Sequence, residues 1–297
     1  MKIMSAENRR AWISLLRPPN LPTVPGDPLA GWFLAGGTGV PSVIVAASAA
    51  LFFYLSGLIL NDVADIEIDR RERPDRPLPS GRVDRRAALR TGLLCGLAGI
   101  GVAALAGPAV LGIGTLLLLA ILVYTFATPR GSMRGLLTMG LCRALSVGLG
   151  IAAAGRLPVP PAALMAAVGI GGYIAAVSWM AAGEAGAQIL DGRRWLPLLL
   201  AAGTLGGILW LAPDPPNLPV MLAIAAMALL RLARLTQTLG RHPAPGQMPQ
   251  AIGGYIRLLL LLQATACAYR HAGLVPAALL ILLMPVAAHL GRRFHAS

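Results

Sequence analysis

Apolar residues along the chain gather into long runs separated by short polar joints. An α-helix needs about 20 residues to cross a hydrocarbon layer roughly 30 Å thick. Runs of that order recur at 18–36, 41–61, 88–104, 107–127, 135–154, 160–180, 195–212, 217–235, 251–269 and 273–290. The pattern predicts an all-α, polytopic transmembrane helical bundle of nine or ten spans. Nine stays open beside ten because the first run carries Pro18, Pro19, Pro22, Pro25, Asp27 and Pro28, and the ninth carries Arg257.

Composition agrees with the pattern. The chain has 297 residues, 56% hydrophobic and 12% charged, against about 25% charged in a soluble domain. Gly and Ala are frequent within the runs, and small residues let transmembrane helices approach closely. Residues 1–297 read as one membrane domain with two longer polar connections, 62–87 and 236–250, and no removable leader is expected at the N-terminus.

The net charge of +13 would suit nucleic acid, but its distribution speaks for a membrane. With the N-terminus in the cytoplasm, all but Arg156 and Arg270 of the 25 Lys and Arg fall on cytoplasmic termini, loops or adjacent helix ends. That is the positive-inside pattern, and it makes membrane lipids the partner and excludes nucleic acid. The expected location is the cytoplasmic (inner) membrane, multi-pass, with the longer loops cytoplasmic. Cys95, Cys142 and Cys267 all lie inside apolar runs, with no metal-ligand or disulfide spacing.

The chemistry concentrates in 61–87. There an apolar helix runs into Asn61, Asp62, Asp65, Glu67, Asp69 and Glu72. On a continuing helix Asp62, Asp65 and Asp69 share a face, and Asn61 and Asp65 form an i, i+4 pair. Crowded carboxylates repel unless a cation sits between them. Hard oxygen donors without Cys or His suit Mg²⁺, which keeps several waters and bridges carboxylates to phosphates. Arg70, Arg71, Arg73, Arg76, Arg82, Arg85 and Arg86 follow, and guanidinium groups fork onto phosphate oxygens. The same charges could instead pair with one another as a solvated loop. The prolines of RPDRPLPSGR favour an ordered turn.

The stretch NDVADIEID at 61–69, followed by RPDRPLPSGR at 73–82, resembles the first aspartate-rich motif and following loop of the UbiA superfamily of intramembrane prenyltransferases. The hydrophobic layout is similar over nearly the whole chain. The resemblance implies a helical bundle around a central cavity. It also implies Mg²⁺-dependent transfer of a prenyl group from an isoprenyl diphosphate to a lipophilic, commonly aromatic, acceptor. It assigns Asn61, Asp62, Asp65 and Asp69 to Mg²⁺ and diphosphate. Arg17 and Asn20 in LLRPPNLP resemble the entry to the family's first span, and Tyr124 resembles its aromatic residue before the next loop. Arg130 and Arg134 become diphosphate contacts or ordinary basic anchors, while Tyr124 and Tyr173 become cation-stabilising rings or packing residues.

The family's second aspartate-rich motif is degenerate here. In its place stand Glu184, Gln188 and Asp191, and Glu184 is the strongest remaining metal ligand on that side. Two other classes stay open: a non-catalytic prenyl-lipid-binding or biosynthetic accessory protein, and a membrane transporter. The acidic cluster at a span's end, rather than mid-bilayer, weighs against the transporter.

Overall fold

The computed structural model describes residues 6–129, 131–182, 190–212, 214–241, 243–244 and 246–294. Those residues form helices and connecting turns, with no strand among them. An amphipathic helix α1 (Ala6–Leu15) leads into a 3-10 turn (Leu21–Thr23) and the short α2 (Gly26–Leu34). There follow α3 (Val40–Ala64), α4 (Ile66–Glu72), α5 (Arg85–Leu105), α6 (Pro108–Ala127), α7 (Met133–Ala154) and α8 (Pro161–Ala181). The chain ends with α9 (Leu196–Leu211), α10 (Leu218–Leu239), α11 (Gln247–Cys267) and α12 (Leu274–Arg293). Among the described residues nine helices are long and apolar enough to cross a membrane, so the chain is a multi-pass membrane protein.

Local chemistry sets the helix starts. Proline occupies the first turn of α3, α6, α8, α9 and α10, where its missing N–H leaves no hydrogen bond unmade. Asp84 caps α5 by accepting from Ala87 N at 2.8 Å, and Ser132 caps α7 by accepting from Gly135 N at 3.1 Å.

The first apolar run explains why both nine and ten spans could be read. Its prolines break it into a 3-10 turn and a nine-residue helix, since proline within a helix removes a hydrogen bond and crowds the preceding turn. It nonetheless passes from one face of the bundle to the other. Arg17 at its start donates to Asp62 at the end of α3, and Gly36 at its end lies against Arg156 and Arg270 on the opposite face. Among the described residues there are therefore nine long helices and a tenth, broken crossing.

That broken segment is almost wholly buried and packs against α3, α7, α8 and α11. It comes so close to α7 that a Cβ on Gly31 would strike the Val147 carbonyl oxygen, and one on Gly150 would strike the carbonyl of Pro28. Small residues at both contact points permit this backbone approach. It sets two facing side chains, Asp27 and Arg143, within reach of each other.

The two polar connections are more structured than loops. The helix continues to Leu239 and resumes at Gln247, leaving little of 236–250 outside it. In 62–87, Leu78 and Val83 tuck beneath a small apolar cluster with Ala11, Leu15, Ile59, Val63, Ile66 and Ala88. Val83 N donates to Pro77 O at 3.0 Å and Ser80 N to Arg76 O at 3.0 Å. The proline-rich stretch is an ordered turn anchored on α1, α3 and α5.

Candidate active site: a cavity with two arginine–carboxylate clusters

A cavity of about 420 Å³ opens at the face carrying the acidic sequence and extends into the bundle. Its wall along α3 is a single helical face of Ala50, Phe53, Tyr54, Gly57, Leu58 and Asn61, followed by Asp65. This is the i, i+3, i+4, i+7 pattern of one side of a helix. The deeper wall is largely apolar, with Leu117 and Ile121 from α6, Leu136 and Met139 from α7, and Ile174 and Val177 from α8.

At the mouth the α3 helix breaks at Asp65, whose backbone (φ −83°, ψ 0°) closes α3 and opens α4. The hydrogen-bond ladder crosses the break, from Asp65 N to Asn61 O at 2.9 Å and from Asp69 N to Asp65 O at 2.9 Å. Asn61, Asp65 and Asp69 thus follow one helical ladder despite the kink. Asn61 Nδ2 donates to Asp65 Oδ2 at 3.0 Å, and both residues line the cavity together with Arg17, Asn20 and Tyr124.

Asp62 and Asp69 are held differently. Arg17 Nη2 donates to Asp62 Oδ1 at 2.9 Å, and Arg76 Nη1 donates to Asp69 Oδ2 at 2.7 Å while standing 3.9 Å from Asp62. Asp69 is buried and Arg76 nearly so. Burial works most strongly against the Arg17 charge, but Asp62, Tyr54 and Tyr124 together outweigh it and raise the guanidinium's pKa. Among the described residues no three His, Cys, Asp or Glu gather closely enough to hold a metal. The expected trio of Asp62, Asp65 and Asp69 is divided in this way between the cavity wall and two arginines.

Other expected site residues are more scattered. Arg134 is exposed on α7 and lies outside the cavity lining. Tyr173 is fully buried away from the lining, its hydroxyl donating to the Tyr255 carbonyl at 2.7 Å, while the Tyr255 hydroxyl meets Thr236 at 2.9 Å. Its ring acts as packing between α8 and α11. Arg130, Glu184 and Gln188 lie outside the described residues. Asp191 opens a 3-10 turn (Asp191–Trp195), and its side chain is likewise outside them.

Sequence reasoning missed a second polar cluster in the bilayer-spanning part of the cavity. Arg143 lies about ten residues inside α7, roughly 15 Å along the axis, so the grouping of nearly all basic residues at helix ends is corrected here. It donates from Nη1 to Asp27 Oδ2 at 2.6 Å and from Nη2 to Thr23 Oγ1 at 2.7 Å. Gln263 on α11 donates through Nε2 to Asp27 Oδ1 and to Thr23 O, both at 2.7 Å. Asp27 is completely buried, whereas Arg143 lines the cavity beside Asn20, Tyr54 and Ser146. The signal was present in the sequence: opposite charges in two apolar runs must pair, because an isolated charge in the membrane interior is costly. Arg73 and Arg76 are the members of the arginine run that reach the cavity wall.

Comparison with known proteins adds family and fold. The model of the UbiA prenyltransferase family matches residues 28–245. A digeranylgeranylglyceryl phosphate synthase of Methanoculleus marisnigri is 31% identical over 125 residues, which are 42% of this chain and 45% of that protein. The enzyme of the same name from Metallosphaera sedula is 37% identical over 110 residues, 36% of this chain and 38% of that one. The matched stretch thus spans less than half the length of either relative. Two solved structures share the fold. A UbiA homolog from Aeropyrum pernix superposes with TM-score 0.62 at 16% identity, covering 83% of this chain and 96% of that one. One from Archaeoglobus fulgidus, bound to GPP and Mg²⁺, gives TM-score 0.60 at 14% identity, covering 87% of this chain and 99% of that one.

Proposed function

Since the chain belongs to the UbiA prenyltransferase family, we propose that it transfers a prenyl group from an isoprenyl diphosphate to a lipophilic acceptor within the membrane. The observation that carries this reading is the pairing of Asn61 with Asp65 on the wall of a mostly apolar cavity whose mouth also presents Arg17, Arg73 and Arg76. Oxygen donors beside guanidinium groups suit a magnesium diphosphate, and apolar walls suit a prenyl chain. The relatives named for prenyl-lipid synthesis and the GPP- and Mg²⁺-bound homolog support the same donor.

The donor set fits Mg²⁺ in the manner typical of that ion, with one or two protein oxygens and the remainder from water and phosphate. Asn61 and Asp65 would hold it, and Asp69 and Asp62 lie behind them. Bound there, Mg²⁺ supplies charge neutralisation to the departing diphosphate, an effect of several kcal/mol.

The chain's own residues do the rest. Arg73 and Arg76 face the phosphate oxygens at the mouth, where guanidinium forks bind bidentately. The C1–O bond breaks with its electron pair leaving on diphosphate. The acceptor nucleophile then forms the new bond to C1, and its displaced proton ends on the released diphosphate. Ile121, Leu117, Ile174 and Val177 keep water from the allylic cation. Tyr124, near the mouth, offers a ring face worth about 0.5–2 kcal/mol to a cation. The motif face is the cytoplasmic one on this reading, as the arginines clustered there favour.

The test is turnover of geranyl, farnesyl and geranylgeranyl diphosphates by purified protein in lipid nanodiscs with a panel of phenolic and glycerol-based lipophilic acceptors, with and without Mg²⁺. Magnesium-dependent diphosphate release that falls roughly 100-fold in Asp65→Asn is expected. Release that persists undiminished in that variant, or its absence with every donor, would overturn the reading.

A further inference from the structure

The cavity has two polar ends. Tyr54 and Asn61 stand seven residues apart on the same face of α3, two helical turns or about 11 Å along its axis. One end holds the diphosphate in the reading above, on which this inference rests. The other, built by Arg143, Ser146, Asn20 and Tyr54, has no role in donor binding. It is also a poor seat for a prenyl tail, because an apolar chain there would strip water from a guanidinium edge, an amide and two hydroxyls without replacing their hydrogen bonds.

The charge state of that end is fixed by its backing. Asp27, wholly buried, accepts from Arg143 through Oδ2 and from Gln263 through Oδ1. Gln263 reaches it because residue 26 is glycine, and a Cβ there would overlap the Gln263 amide. Arg143 therefore presents N–H donors to the cavity while its positive charge is already matched by a carboxylate behind it. Ser146, hydrogen-bonded to Asp27, and Tyr54, hydrogen-bonded to Asn20, bring two hydroxyls and an amide to the same wall. Such a wall offers hydrogen bonds without a net charge.

We infer that the Asp27-backed Arg143 patch is the acceptor-recognition subsite, and that it selects a neutral acceptor head rich in hydroxyl or carbonyl oxygens over a carboxylate or phosphate. A neutral oxygen-bearing head completes the open donors. An anionic head would add an unmatched negative charge in a low-dielectric space beside Asp27, which is unfavourable. Gly57 and Leu58 line the wall between the two polar ends. Asp27 acts here as a positioning residue, since it is buried and touches Arg143, Gln263 and Ser146 rather than the cavity.

The experiment uses full-length protein in nanodiscs with Mg²⁺, geranylgeranyl diphosphate and matched acceptor pairs that differ only in the head. One pair is a hydroquinone against the corresponding hydroxybenzoate, and another is an alkylglycerol against its phosphate. Diphosphate release and prenylated product are measured separately. The wild type is expected to favour the neutral member at least tenfold in kcat/KM. Asp27→Asn, which keeps the shape but leaves Arg143 uncompensated, is expected to shift that ratio at least tenfold towards the carboxylate. Ser146→Ala, which leaves the ion pair intact, is expected to raise KM for the neutral acceptor about tenfold. Wild-type preference for the anionic member overturns the inference, as does an unmoved ratio in folded Asp27→Asn. If diphosphate release occurs but acceptor preference is reversed, only this inference fails. If no donor is ionised at all, the prenyl-transfer reading fails and takes the inference with it.

Discussion

The two arginine–carboxylate clusters are built from the same side chains and differ in what surrounds them. At the mouth, Arg17, Arg76, Asp62 and Asp69 form pairs at the edge of an open cavity, beside an exposed pair between Arg70 and Glu67 at 2.7 Å. Deeper in, Asp27 and Arg143 are enclosed by Thr23 and Gln263. Arg17, the more exposed of these arginines, can exchange its partner when an anion arrives, because the cavity and neighbouring Arg76 compensate. The deep pair cannot release its partner without leaving a charge in the membrane interior. One cluster is suited to binding and letting go, the other to holding three helices in register and fixing the polarity of a wall.

The comparison can be broken most severely at Arg143. Arg143→Ala leaves the Asp27 carboxylate buried without its cation, and a loss of about 3–5 kcal/mol is expected, read as a large fall in Tm in detergent. The double variant Asp27→Asn with Arg143→Gln should recover most of it. If the single variant melts like the wild type, the deep pair is not holding the helices. At the mouth the largest expected effect is on rate. Asp65→Asn should slow magnesium-dependent turnover roughly 100-fold, the equivalent of about 3 kcal/mol, with little change in Tm.

Smaller effects sharpen the contrast. Gly31→Ala pushes a Cβ into the Val147 carbonyl, and overpacking of this kind costs about 1–3 kcal/mol. Because it separates α2 from α7, chemical denaturation should show a loss comparable to that of a core substitution. Arg70→Ala removes only the exposed pair with Glu67 and should change stability by less than about 1 kcal/mol, detectable only as a near-coincident melting curve.

Length and apolarity made the nine long helices legible, since nothing but a helix of about 20 residues satisfies its backbone across lipid. The pairing of Asn61 with Asp65 was equally readable, because both lie on one short helical stretch. The partner of Asp62 was not, since Arg17 is 45 residues away and reaches it only when the first crossing folds against α3. The same limit hid Asp27 and Arg143, 116 residues apart. Asp27 reads as an interruption of an apolar run and Arg143 as one more basic residue near a helix end, and only their convergence makes a site. The broken first crossing was half legible: its prolines forecast the break, but not that so short a helix would lie at the centre.

The position of α11 carries a consequence for assembly. It is the most buried and least hydropathic of the nine long helices, and it bears Gln263 against α2 and Tyr255 against α8 and α10. A helix that meets little lipid gains little from entering the bilayer alone. Its insertion during synthesis therefore depends on a receptive groove formed by helices already in place, and the earlier-made part of the chain acts as the solvent for this later helix.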